Sequence, residues 1–296
     1  MKRRPSGRDL GLSLRMAIAL VPIVLWYLLA LVLLVALVIL TLFGREWQAL
    51  PGAVLFAIGG PVALWEHVHH SESVALTAAR AKELDDREEP ELQALVARVA
   101  AMADLPTPRV AVAQSRAPNA FSVGINERRA VVAFTRELLR RDLTPAELEA
   151  IVAHELAHVA NRDGLVMTFV SVPALVGSAL WHGGDQRGKI VFLMFYWPVF
   201  VVSLFFMWTL SRYREYVADR SASLITGAPE QLMSALQKIA GKPAPGDLRG
   251  GLAVQALCIV GRQAGWRRFE LFSDHPPLAK RMDRLEELSR ELGRAV

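Results

Sequence analysis

The stretch Val152-Ala153-His154-Glu155-Leu156-Ala157-His158 decides how the chain is read. It spells H-E-x-x-H inside an Ala-rich, apolar run with helical character. Residues four apart on an α-helix share a face. His154 and His158 can therefore offer two imidazoles to one metal ion, with Glu155 beside His154. Two nitrogen ligands and a carboxylate that takes a proton from an activated water are the parts of zinc-assisted hydrolysis. So short a motif also arises by chance, and two surface histidines on an ordinary helix read the same way.

The helix has a strong start signal. Thr144-Pro145-Ala146-Glu147 forms a capping box with proline at the first helical position. Asn161, Asp163 and Gly164 mark its end. Upstream, Leu92, Leu95, Val96, Val99 and Met102 recur at helical spacing, so Glu91 to Met102 reads as an amphipathic helix ended by Pro106 and Pro108. Arg109–Ala113 and Ala130–Phe134 read as short strands on either side of Pro118–Gly124 and a turn at Asn126-Glu127. A small β unit thus stands just before the metal helix. Its strand edge could hydrogen-bond an extended substrate by strand addition; a hairpin that only packs on the helix is the alternative.

Around this core the chain is apolar. Its 296 residues are 53% hydrophobic, and the apolar residues are clumped. Met16 to Gly44 carries no charge, enough to span a bilayer and too long for a cleaved signal peptide. A second uncharged run, Trp47 to Trp65, is interrupted by Pro51, Gly52, Gly59, Gly60 and Pro61, which membrane helices tolerate. The expected spans are about 16–43 and 47–66, and residues 1–70 form an N-terminal membrane region. Leu165–Trp181 and Ile190–Leu210 flank a polar turn, giving a membrane hairpin at about 165–181 and 190–210. That hairpin interrupts a peptidase domain covering 71–296 and returns the chain to the side it left. The basic N-terminus, with Lys2, Arg3, Arg4, Arg8 and Arg15, suits the cytoplasmic side. The net charge of +5 is scattered, with no basic stripe among aromatics, so nucleic acid is not expected. The single cysteine, Cys258, excludes an internal disulfide and a Cys-rich metal site. His67, His69 and His70 cluster near the membrane boundary, where amphipathic rings fit, without a carboxylate motif to gather them round one ion.

Two histidines leave a catalytic zinc one protein ligand short. The metzincin continuation fails, because Asn161 holds the glycine position and Gly164 the third histidine position. Ser211 to Asp219 supplies a carboxylate instead. Glu215 and Asp219 are four apart, so Glu215 can bind the metal while Asp219 accepts the free ring N–H of a ligand histidine. A solvated acidic pair among arginines is the alternative.

H-E-L-A-H, a membrane hairpin, Glu215-Tyr216-Val217-Ala218-Asp219, then Asp274-His275-Pro276-Pro277 and Arg281, in that order, resemble the HtpX family of membrane metalloproteases. That family is similar to the C-a-a-X prenyl endopeptidases and the mitochondrial Oma-type protease. Asn119-Ala120-Phe121 resembles its N-A-F segment. The resemblance implies a mainly α, multi-pass α-helical membrane protein with a gluzincin-like zinc peptidase domain containing the small β unit. It implies one Zn2+ per chain bound by His154, His158 and Glu215, with Glu155 as base. It also implies polypeptide substrates, namely damaged or misfolded membrane proteins at the cytoplasmic face, and contact with the lipid bilayer. His275 is expected either to donate to the oxyanion or to begin the last helix, and Arg281 to tie that helix down. Prenyl-protein processing, or a membrane scaffold with a degenerate metal motif, are the other functions the pattern allows. A metal transporter would place polar ligands within its spans, which these apolar runs lack.

Overall fold

The computed structural model describes residues 50–170, 197–240 and 276–293, with a few isolated helical positions besides. In chain order these hold α1 (Leu50–Ala78), β1 (Ala81–Glu83), α2 (Pro90–Met102), β2 (Arg109–Ala113), β3 (Ala120–Val123) and a short 3-10 turn (Glu127–Arg129). After them come β4 (Val131–Thr135), α3 (Arg136–Leu139), α4 (Pro145–Ala160), α5 (Trp197–Thr226), α6 (Pro229–Ala240) and α7 (Leu278–Glu291). The chain is mainly helical, with one small sheet.

That sheet runs in the order β1-β2-β4-β3. β2 and β4 pair in parallel, and the outer strands pair antiparallel. β2 matches the expected strand, and β4 starts one residue later than expected. β3 runs over Ala120–Val123, overlapping the strand expected at 119–121, and β1 is a polar Ala-Lys-Glu segment without strand alternation. The near-continuous apolar runs of β2 and β4 follow from burial on both faces. One face, with Val110, Ala120, Val132 and Phe134, packs into the main core with α2 and α4. The other, with Ala111, Phe121, Val123, Val131 and Ala133, is covered by Ala75 and Leu76 at the end of α1 and by Ala79 just after it.

α4 is the central element. Every residue from Ala150 to Val159 is buried, so the helix is enclosed all round by the sheet, α2, α5 and α6. Its capping box forms as the sequence predicts. Thr144 Oγ1 accepts from the Glu147 N–H at 3.2 Å, and Glu147 Oε2 accepts from the Thr144 N–H at 2.7 Å. Glu147 also takes hydrogen bonds from Ser234 (2.6 Å) and Lys238 (2.8 Å) on α6. The cap is therefore also a tether between helices.

The Gly- and Pro-interrupted run expected at 47–66 is continuous helix in α1 from Leu50 onward. Among the described residues no helix is long and apolar enough to cross a membrane. The runs expected at 16–43 and 165–181 lie largely outside the described residues, and the run expected at 190–210 is helix in α5 from Trp197 onward.

Burial pushes the Glu147 carboxyl up, but Lys238, Ser234 and the Thr144 N–H together hold it down at about 2. A depressed folded-state pKa contributes stability above the unfolded value, 4.5 for this group, and loses it as pH falls toward about 2. Glu147→Gln should lower stability at pH 7 by about 1–3 kcal/mol. In denaturant melts of the detergent-purified protein, the gap from wild type should narrow as pH falls below 4.5. A gap independent of pH would contradict this account.

Candidate active site

One turn of α4 separates His154 from His158, and both rings face the same buried point. The rings meet edge-on with centroids 4.8 Å apart. Their Nε2 atoms stand 3.2 Å apart. α5 packs along α4 and brings Glu215 to the same point. Its two carboxylate oxygens lie 3.6 Å from His154 Nε2 and 3.5 Å from His158 Nε2. Among the described residues, His154, His158 and Glu215 are the group able to hold a metal ion. A tetrahedral zinc with bonds of about 2.0–2.2 Å sets its ligand atoms roughly 3.4 Å apart. The three separations here suit such an ion.

The outward nitrogens of both imidazoles face carboxylates. Asp219 Oδ1 lies 3.1 Å from His154 Nδ1. Arg281 grips that aspartate with two hydrogen bonds, from Nε at 2.8 Å and Nη2 at 2.6 Å, and its Nη1 stands 3.2 Å from Glu215 Oε2. Arg281 therefore does more than fasten α7 to the fold, because its buried head sits among the site carboxylates. On the other side, His158 Nδ1 meets Asp163 Oδ2 at 2.6 Å. Arg214 Nε lies 3.1 Å from the same oxygen.

Sequence reasoning missed Asp163 and Arg214. Asp163 is five residues past His158, off the four-residue spacing of the helix face. It gets there because Arg162 adopts a left-handed conformation (φ 56°) and breaks the helix between Ala160 and Asp163. The Asn161–Gly164 boundary signal pointed to that turn but not to where its aspartate would land.

The electrostatics call for a cation. Glu155, Asp163, Glu215 and Asp219 are all buried, against the two buried guanidiniums of Arg214 and Arg281. With neutral histidines, four carboxylates against two guanidiniums leave two negative charges, the complement of a divalent ion. Burial works against charging His158, yet Asp163 and Glu215 hold its pKa up at about 10. Burial drives the Glu155 carboxyl up, opposed by the imidazoles of His158 and His154 and by a hydrogen bond from Ser122 on β3. A buried carboxylate beside two ring nitrogens is placed to receive a water proton.

The remaining expected residues divide. Asn119 is buried at the start of the edge strand, its carbonyl accepting from the Thr135 N–H at 2.9 Å. The side chains of Ala120 and Phe121 are fully buried in the two cores, so only the backbone of this segment could meet a substrate. His275 lies outside the described residues, as does Asp274. The His67/His69/His70 cluster gathers no metal group. His69 stacks on Trp65 with centroids 3.6 Å apart, and His70 pairs with Glu66 at 2.9 Å.

Residues 86–289 match the family described as Peptidase family M48. The chain is 41% identical to a "Protease HtpX homolog" of Moorella thermoacetica, over 98% of each chain. It is 38% identical to "Protease HtpX homolog 2" of Methanosarcina mazei, over 98% of this chain and 99% of that one. Among solved structures, the crystal structure of S. mikatae Ste24p aligns at a TM-score of 0.48 and 18% identity, over 88% of this chain and 63% of that one.

His154→Ala and Glu215→Gln should each abolish stoichiometric metal in the purified protein, measured by elemental analysis. The pair His69→Ala and His70→Ala should leave it unchanged. Metal lost equally from both sets would put the ion elsewhere.

Proposed function

The chain belongs to peptidase family M48, among the HtpX protease homologues, and from that premise we propose that it is a zinc-dependent endopeptidase of membrane-protein substrates, working at the cytoplasmic face. The observation that carries this reading is a buried triangle of His154, His158 and Glu215 with the buried Glu155 carboxylate beside it. When bound, zinc acts as a Lewis acid on a carbonyl and lowers the pKa of a water at the site to about 7.

In this reading Glu155 accepts the proton of the attacking water. The water oxygen forms the new bond to the scissile carbonyl carbon, the C–N bond breaks, and Glu155 passes the proton to the leaving amine. Asp219 orients the His154 ring and is itself held by Arg281. His275, just before the buried Pro276 and the helix that carries Arg281, is assigned as a further donor to the developing oxyanion.

Substrate is proposed to add as a strand beside β3. Asn119 bonds inward to Thr135, so antiparallel alternation turns the N–H and C=O of Ser122 toward the edge that no described strand covers, while the Ala120 N–H is held by Asn119 Oδ1 at 3.0 Å. Ser122 on that same strand faces Glu155, so an added strand would pass the base. The uncharged runs at 16–43 and 190–210 support membrane-protein substrates, and the basic N-terminus supports the cytoplasmic orientation.

Glu155→Gln tests the reading. The detergent-purified variant is expected to keep its zinc and to lose roughly 10²–10⁴-fold in cleavage of an unfolded membrane protein. Full activity in that variant would reject Glu155 as the base.

A further inference from the structure

We infer that Asp163 and Arg214 are positioning residues for His158, and that through them the hold on the metal depends on how α5 is seated. This inference rests on the zinc reading above.

His158 lies in the last turn of α4, where helices fray. A ligand there needs its ring held from outside the helix. Asp163 does this at Nδ1, at 2.6 Å, leaving Nε2 turned to His154 and Glu215. Asp163 is held in turn from two sides. On the chain side, the left-handed Arg162 breaks the helix, and Gly164 presses on the end of β3. A Cβ at Gly164 would stand 2.4 Å from the Gly124 carbonyl oxygen, so this approach requires glycine. On the far side stands Arg214 of α5, 3.1 Å from the Asp163 carboxylate that contacts the histidine.

Asp163 and Arg214 are each about 2% exposed. Neither charge is stable there without the other, because one partner left alone is an uncompensated buried charge. Arg214 is also the residue before Glu215. Two consecutive positions of α5 thus reach His158, Glu215 at Nε2 and Arg214 through Asp163 at Nδ1. Any shift of α5 disturbs both contacts at once. The second arm, His154–Asp219–Arg281, uses α7 as well as α5, so the Asp163 arm reports α5 alone.

The test is zinc affinity by competition with a chromophoric chelator, in the full-length detergent-purified protein. Asp163→Asn and Arg214→Met should each weaken zinc binding about 10–100-fold. Arg214→Lys should recover part of the loss. The double variant should be no weaker than the worse single one, as befits one coupled pair. The double variant, which leaves neither charge buried alone, should melt near wild type at saturating zinc. Wild-type zinc affinity in Arg214→Met overturns the inference, and so does an affinity loss in the double variant matched by an equal loss of stability at saturating zinc. Should Arg214→Met fail to fold, unchanged zinc affinity in Asp163→Asn overturns it alone. Absence of stoichiometric zinc from the wild-type protein would instead overturn the zinc reading itself.

Discussion

The structure depends on holding four carboxyl groups and two guanidiniums inside a packed helical core. Isolated buried carboxylates are expensive, and four of them around one point would push α4 and α5 apart. The two guanidiniums relieve only half of this. Arg281 forks the Asp219 carboxylate and touches Glu215, and Arg214 meets Asp163. The charge left over is concentrated where the two imidazole Nε2 atoms and Glu215 converge. A divalent cation at that point turns the least stable feature of the core into one that holds two helices together.

The rest of the fold keeps α4 in register for that role. The sheet lies against one side of it, with the end of α1 closing the sheet's opposite face, so β3 cannot shift without disturbing two cores. The capping box fixes the start of α4, and Ser234 and Lys238 tie the same carboxylate to α6. At the other end, the Gly164–Gly124 contact locks the turn that carries Asp163. Pinned at both ends, α4 presents its histidines in one geometry, which pre-organises the site.

Much of this was legible in the sequence, because it is local. The capping box, the apolar enclosure of α4, β2, and the four-residue spacings of His154/His158 and Glu215/Asp219 are all read from residues within one or two turns. The strand β1 was not legible, and β3 was read only in part. β1 has no alternation of its own and exists only because β2 offers an edge, and β3 owes its form to pairing with β4. Asp163 and Arg214 stayed hidden for a related reason. Their meeting depends on a helix break at Arg162 and on the packing of a helix about fifty residues away, and neither leaves a period in the sequence. Arg281 was read as a fastening for the last helix, since nothing local shows that its guanidinium ends between two acids of α5.

The division of the ligand set follows from the same physics. Two ligands on one helix face form a local, permanent half-site, cheap in loop entropy. The third sits 57 positions beyond His158 (215 minus 158), so metal binding closes a long loop that packing alone must otherwise hold shut. Part of the metal's binding free energy is thereby folding free energy of α5 against α4. The intervening chain is where the sequence places its apolar hairpin, so α5 enters the site from the apolar run that begins the helix. A site built this way completes itself only when that helix is seated. That makes the assembly of the peptidase centre and the placement of the returning apolar segment a single structural event.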